Sequence, residues 1–170
     1  DLIQGKKYNI KVIAKAENGQ TAEVTAEQTT GSIANLTAGD IVFTYTVDGK
    51  IIDKSTWTNG TVKVSAKINP EIDMTGLKIQ TSKDGKNYED ADTQSFTENG
   101  TMYVVLTDGK NYGGSAGGTV TNIDKIKPVI TGVTATTNTI KITATDEASG
   151  IFAYAISESS TMPTKFTVVD

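Results

Sequence analysis

Thr119-Val120-Thr121-Asn122-Ile123-Asp124-Lys125-Ile126-Lys127-Pro128-Val129-Ile130 is the stretch from which the rest of the chain can be ordered. Val120 and Ile123 belong to a run that ends in a charged segment stopped by Pro128, and a second alternating run begins at Val129. Proline fixes its own φ and pushes the residue before it toward extended backbone, so Lys125-Ile126-Lys127-Pro128 reads as a short semi-rigid linker. The stretch is thus a seam between two strand-built modules.

Residue choice on both sides of the seam favours strands. Threonine is the commonest residue type, and Thr, Val, Ile and Tyr fill the runs between turns, as expected of pleated, half-buried surfaces. Six Asn-Gly or Asp-Gly pairs punctuate these runs: Asn18-Gly19, Asp48-Gly49, Asn59-Gly60, Asp84-Gly85, Asn99-Gly100 and Asp108-Gly109. Such pairs accept positive φ cheaply and predict tight hairpins. No stretch keeps a 3.6-residue apolar period for three turns, so helices are not expected.

Before the seam, Tyr8, Ile10, Val12, Ala14 and Ala16 alternate with Lys7, Asn9, Lys11 and Lys15, which predicts a strand with one core-facing side. Asn18-Gly19 turns it into a second strand over 21–29. Next, Ile41, Phe43, Tyr45 and Val47 alternate into Asp48-Gly49, and Val62, Val64, Ala66 and Ile68 alternate up to Asn69-Pro70. Leu77, Ile79 and Thr81 form a further run. The segment Met102-Tyr103-Val104-Val105-Leu106-Thr107 is apolar on both faces and reads as a central strand. Glycine-rich 113–118 reads as a flexible loop. About seven strands between residues 32 and 124, with turn signals every ~8–12 residues, match a β-sandwich pattern.

The chain also repeats itself. Gly5 and Tyr8 correspond to Gly100 and Tyr103, both 95 positions apart. Val62-Lys63-Val64-Ser65-Ala66 corresponds to Ile140-Lys141-Ile142-Thr143-Ala144 at a shift of 78, and Gly76-Leu77 to Gly150-Ile151 at 74. The first piece therefore repeats the end of the middle one, and the last piece repeats its beginning. Residues 1–31 read as the C-terminal part of one module, 32–124 as a complete module, and 125–170 as the N-terminal part of another. The alternative is one module split by an inserted one, in which case Val12 and Ile142 would share a core. The opening on Asp1 and the stop after Val168-Val169 suggest a window of something longer.

Two family resemblances attach to these residues. Leu2, Gly5 and Tyr8, with the exit Thr29-Thr30-Gly31, resemble the late strands of fibronectin type III modules, in which such a tyrosine packs its ring inward. Residues 57–64, 83–88, 98–103, 107–108 and 120–128 resemble the tandem bacterial Ig-like modules of Gram-positive surface and secreted proteins and of phage tails. The order Asp108-Gly109-Lys110-Asn111 departs from that family's usual Asp-Ala-Gly-Asn. The resemblance implies an all-β fold of tandem antiparallel β-sandwiches, Ig-like or fibronectin III-like, with one complete module flanked by two partial ones. It also implies a non-catalytic spacer, stalk or decoration on a bacterial cell surface or a virion, whose partners are neighbouring repeat modules of the same longer chain. The alternative it leaves open is an adhesive or accessory module binding cell-surface glycan or a host protein, for instance within a secreted glycoside hydrolase.

Composition narrows the chemistry. The chain has 170 residues, net charge -4, 16 basic residues that are all lysine, and neither His nor Cys. Disulfides, thiol nucleophiles and histidine-based triads are excluded, and the acidic balance without Arg argues against nucleic acid. No apolar run is long enough for membrane insertion. The carboxylate pairs Asp90/Asp92 and Asp146/Glu147 sit in polar, turn-like stretches and read as solvated turns rather than a glycosidase pair. Asp124, with Asp108 and Asp146-Glu147 as neighbours, offers hard oxygens for calcium at the seam. No spacing reproduces a calcium loop, and turn capping explains these residues. A cross-link from Lys63 or Lys141 to Asn122 is disfavoured because both lysines alternate outward. Trp57 reads as a buried packing residue, and Tyr88 and Tyr112 as exposed turn residues. The sequons at Asn35, Asn59 and Asn99 are explained by turns. No catalytic, cofactor-binding or metal-binding residue and no cofactor is assigned.

Overall fold

A computed structural model describes residues 7–169 of the chain; Leu2 and Gly5 lie outside them. The described residues form strands and no α-helix, arranged as several antiparallel sheets of a β-sandwich-like class. The strands are β1 (Lys7–Lys15), β2 (Thr21–Thr29), β3 (Ile41–Val47), β4 (Lys50–Ile51), β5 (Val62–Ile68), β6 (Lys78–Ser82), β7 (Thr93–Phe96), β8 (Gly100–Thr107), β9 (Ala116–Val120), β10 (Val129–Ala135), β11 (Ile140–Thr145), β12 (Ala153–Tyr154) and β13 (Thr167–Val168). β4-β3-β5-β7 form one sheet and β6-β8-β9 another, while β1-β2, β10-β11 and β12-β13 are separate two-stranded sheets.

Two compact units can be distinguished. The first runs up to Thr44 and takes in Val64–Gln94 and Thr101–Gly118; the second holds Tyr45–Lys63, Ser95–Gly100 and the chain from Thr119 on. In the first unit, Leu36, Ile41, Val64, Met102, Val104 and Leu106 are buried. In the second, burial falls on Tyr45, Val62, Phe96, Val120 and Ile123. The alternation of β5 places Val62, Val64 and Ala66 inward and Lys63 and Lys67 in solvent, because successive side chains leave a strand on opposite sides. β8 is the central strand of its sheet and buries Val104, Val105, Leu106 and Thr107 in succession, as its two-sided apolar sequence requires.

The turn dipeptides divide by backbone geometry. Asp48 (φ 48°) and Gly49 (φ 76°) form a two-residue turn closing β3 on β4, the primed geometry that matches strand twist. Gly19 (φ 84°) ends a three-residue loop in which Ala16 and Gln20 still pair. Gly85 and Gly109 also take positive φ. The expectation of hairpins fails at Asn59-Gly60 and Asn99-Gly100, whose glycines keep ordinary φ. Asn99-Gly100 carries the chain from the sheet of β7 to that of β8 instead.

Residues 113–118 are not a flexible loop. β9 includes Gly117 and Gly118, and a Cβ on Gly118 would lie 2.5 Å from Phe43 Cδ1. Gly114 is pinned by Leu36 N–H donating to its carbonyl at 3.0 Å and by its own N–H donating to Asn35 Oδ1 at 2.6 Å. These glycines provide close approach rather than freedom.

β1 departs from its expected burial. In the β1-β2 register, Ile10, Val12 and Ala14 stand opposite Ala26, Val24 and Ala22, making one apolar face, while Lys11 and Lys7 lie with Glu23 and Glu27 on the other. The charged face closes through exposed ion pairs, Lys7–Glu27 at 2.6 Å and Lys11–Glu23 at 2.7 Å, each worth ~0–1 kcal/mol. The apolar face stays open: Val12 is 57% and Val24 62% exposed.

Gly118→Ala is expected to lower the unfolding free energy by about 1–3 kcal/mol through overpacking against Phe43. Gly31→Ala, with open space around the new methyl, should change it by less than about 0.5 kcal/mol; urea denaturation of the two variants measures the contrast.

Candidate functional site at the joint

Strand β9 ends at Val120, and the next three residues are held by side chains as much as by backbone. Thr58 and Ile123 form a parallel bridge, with Thr58 N–H donating to the Asn122 carbonyl at 2.9 Å and Asp124 N–H to the Thr58 carbonyl at 2.8 Å. Asn99 acts as a substitute strand: its Nδ2 donates to the Ile123 carbonyl at 3.1 Å, and Ile123 N–H donates to its Oδ1 at 2.9 Å. Asn122 Nδ2 donates to the Thr56 carbonyl at 2.6 Å. Asn122 is buried and its amide is engaged there, while Lys63 and Lys141 are exposed.

This anchoring delivers Asp124, 8% exposed, to the start of the linker. One carboxylate oxygen accepts Ile126 N–H at 2.9 Å, and the other accepts Ser149 N–H at 2.9 Å. The loop that supplies Ser149 is shaped by Asp146, whose Oδ1 accepts the N–H groups of Ala148 (3.2 Å) and Gly150 (2.9 Å), with Gly150 at φ 76°. Asp124 is thus a clasp: it joins the end of one strand set to its own linker and to the first long loop beyond it. The Ser149 hydroxyl, then the Ile126 amide, hold its pKa below the ordinary carboxylate value of 3.8, outweighing desolvation.

Of the residues read as calcium neighbours, the structure brings Asp146 to Asp124 and spends both carboxylates on N–H donors. Asp108 closes its own turn through the amides of Lys110 and Asn111 at 2.8 and 2.7 Å, and the Asn111 amide leads in depressing its pKa to about 2. No group of three or more acidic residues placed to hold a metal occurs among the described residues. Asp90 and Asp92 are also engaged locally. Asp90 pairs with Lys78 at 2.6 Å and accepts from Gln80, and Asp92 accepts the Thr93 hydroxyl at 2.9 Å.

Trp57 is not buried. It is 45% exposed and borders a groove of about 350 Å³ shared with Asn59, Asp124, Lys125, Pro128 and Asp146. The reason is local: the neighbouring Thr56 and Thr58 backbones are committed to Asn122 and Asp124, which leaves the indole on the rim. A second groove occurs earlier in the chain, where residues 30–34 line it with Ile72, Asp73, Thr75 and Gly76. Asp73 Oδ1 there accepts Thr75 N–H at 2.9 Å, and Gly76 takes φ 72°, close to the φ 76° of Gly150.

A second surface feature has its sequence signal in two identical pentapeptides, Asp84-Gly85-Lys86-Asn87-Tyr88 and Asp108-Gly109-Lys110-Asn111-Tyr112. In each, the Asp Oδ1 accepts the N–H groups two and three residues on, and Oδ2 accepts the Asn Nδ2. Their rings meet, Tyr88 and Tyr112 having centroids 5.9 Å apart at 35°. Tyr112 is exposed and Tyr88 half-buried, so only the first follows its expectation.

No protein-family model, curated protein or solved structure matches this chain. No helix among the described residues is long and apolar enough to cross a membrane.

Because the folded-state pKa of Asp124 is lowered, the clasp contributes fully above the unfolded carboxylate value of about 4. Its contribution is lost as pH falls through the lower folded value. In an NMR titration the Ser149 amide shift is expected to move with a midpoint below 3.8, and Asp124→Asn should abolish that transition. A midpoint at or above the ordinary value contradicts the clasp.

Proposed function

We propose that the chain is a non-catalytic spacer built of tandem Ig-like or fibronectin III-like modules, a stalk or decoration of a bacterial cell-surface protein or a virion. The observation that carries this reading is the Asp124 clasp. A carboxylate at a module joint, bonded to both the linker and the next loop, limits how far the neighbours swing. Limited swing is what a spacer needs to hold a distal domain at a set reach. Two further observations support the modular part. β11 falls 78 residues after β5 with the same alternation, and the paired glycines Gly76 and Gly150 share their positive φ.

The second reading, a module that binds cell-surface glycan or a host protein, draws on exposed Trp57 and on the Tyr88–Tyr112 pair. Aromatic rings with polar neighbours suit ligands that have both apolar and hydroxylated faces. A glycan array separates the two: retention that Trp57→Ala or Tyr112→Ala abolishes favours binding, and no retention favours the spacer.

In small-angle scattering extrapolated to infinite dilution, the wild-type chain is expected to fit one narrow distribution of lengths. Asp124→Ala should broaden that distribution while circular dichroism stays unchanged. Equal breadth in wild type and variant contradicts the spacer mechanism.

A further inference from the structure

The tripeptide Asn-Gly-Thr occurs twice, as Asn59-Gly60-Thr61 and Asn99-Gly100-Thr101. Both asparagines are exposed, and neither glycine takes positive φ, so neither pair serves a primed turn. Asparagine followed by glycine has a reactivity of its own. With no Cβ to screen it, the glycine nitrogen can attack the asparagine Cγ. The side chain must be free to bring the two atoms to about 3–3.5 Å.

The fold treats the two asparagines differently. Asn99 is held at both ends of its amide: Nδ2 donates to the Ile123 carbonyl at 3.1 Å, and Oδ1 accepts Ile123 N–H at 2.9 Å. Its Cγ cannot turn toward Gly100 until both bonds open. The side-chain amide of Asn59 makes no hydrogen bond among the described residues. The restraint there falls on the nucleophile, since Gly60 N–H donates to Thr58 Oγ1 at 3.0 Å, a single bond to a hydroxyl that can rotate away. Asn59 also lines the groove of Trp57, Asp124, Lys125 and Asp146, open to the water that the reaction consumes.

We propose that Asn59 is a self-modification site, converting spontaneously to aspartate and isoaspartate, while Asn99 is preserved by its bonds to Ile123. The Gly60 nitrogen gives its proton to water or hydroxide and bonds to the Asn59 Cγ. The Cγ–Nδ2 bond then breaks, ammonia leaves, and a five-membered imide closes. Water opens that ring in two ways. Breaking the new N–Cγ bond gives aspartate; breaking the original peptide bond leaves the chain running through Cγ as isoaspartate. The sum is one water taken up and one ammonia released, with no oxidant or enzyme. Either product puts a carboxylate into the groove that Asp124 and Asp146 line, where like charges repel. Isoaspartate also adds a backbone carbon beside Thr58, whose N–H and carbonyl hold Asn122 and Asp124. The conversion therefore loosens the clasp as the protein ages. That consequence rests on the spacer reading; the conversion itself does not.

Peptide mapping of the intact chain, aged in mildly alkaline buffer, follows each asparagine by mass and by separation of the isoaspartyl peptide. Asn59 is expected to convert about ten-fold faster than Asn99, because two hydrogen bonds must open before the latter reacts. In concentrated urea the identical tripeptides should convert at similar rates, and Asn59→Gln should remove the signal at that position alone. Equal rates in the folded chain, faster loss of Asn99, or a difference that persists in urea overturns the proposal. For the joint, Asn59→Asp should broaden the scattering distribution toward that of Asp124→Ala. An unchanged distribution contradicts the loosening, and failure of the spacer reading itself leaves the peptide map as predicted.

Discussion

A carboxylate that accepts backbone N–H groups from two separate segments ties those segments together, and the joint between the middle and final strand sets is built around such a group. Asp124 receives its donors from Ile126 in its own linker and Ser149 in the loop beyond. Hydrogen bonds to a charged acceptor contribute more than neutral ones, so these two bonds favour the arrangement in which linker and loop are held together. The anchoring upstream matters equally. Asn99, Asn122 and Thr58 fix the backbone of residues 122–124, and without it the carboxylate would have no set position from which to reach Ser149. A single acidic side chain thus turns a short lysine-rich linker into a directed one.

Much of the fold was legible because strand alternation is a local signal. β2, β3 and β5 run where the periodicity places them, and the two-sided apolar run of β8 correctly marks a central strand. The misses share a physical cause: the same residue types serve different tertiary ends. Asn99 pairs with a distant backbone instead of turning the chain, and Gly118 makes room for Phe43 instead of flexing. The site was partly legible. Asp124 and Asp146 stood out as carboxylates at a boundary, but whether they meet an ion or an amide depends on a loop 25 residues away in sequence. Trp57 was misread because its neighbours' backbones, rather than its own apolar surface, decide where the ring lies. The twin pentapeptides were readable as exact internal repeats, and the meeting of their tyrosines was not.

Burial is distributed unevenly, and that unevenness has consequences. The residues between Leu36 and Asp124 supply every buried side chain among those described, whereas β1, β2, β10 and β11 have good backbone pairing and little apolar cover. Isolated two-stranded sheets are marginal in water, because hydrogen bonds exchanged with solvent contribute little net stability without a covered face. Over residues 7–169, Asp124 therefore lies where a well-packed stretch of the chain meets a poorly covered one.

Residual dipolar couplings across the joint test the central claim most directly. With amides of residues 41–123 and 129–154 fitted separately in one alignment medium, a working clasp gives alignment tensors of equal magnitude and orientation for both sets at pH 7. A severalfold smaller tensor for residues 129–154 would mean that they swing freely, and that the hydrogen bonds of Asp124 do not hold the joint.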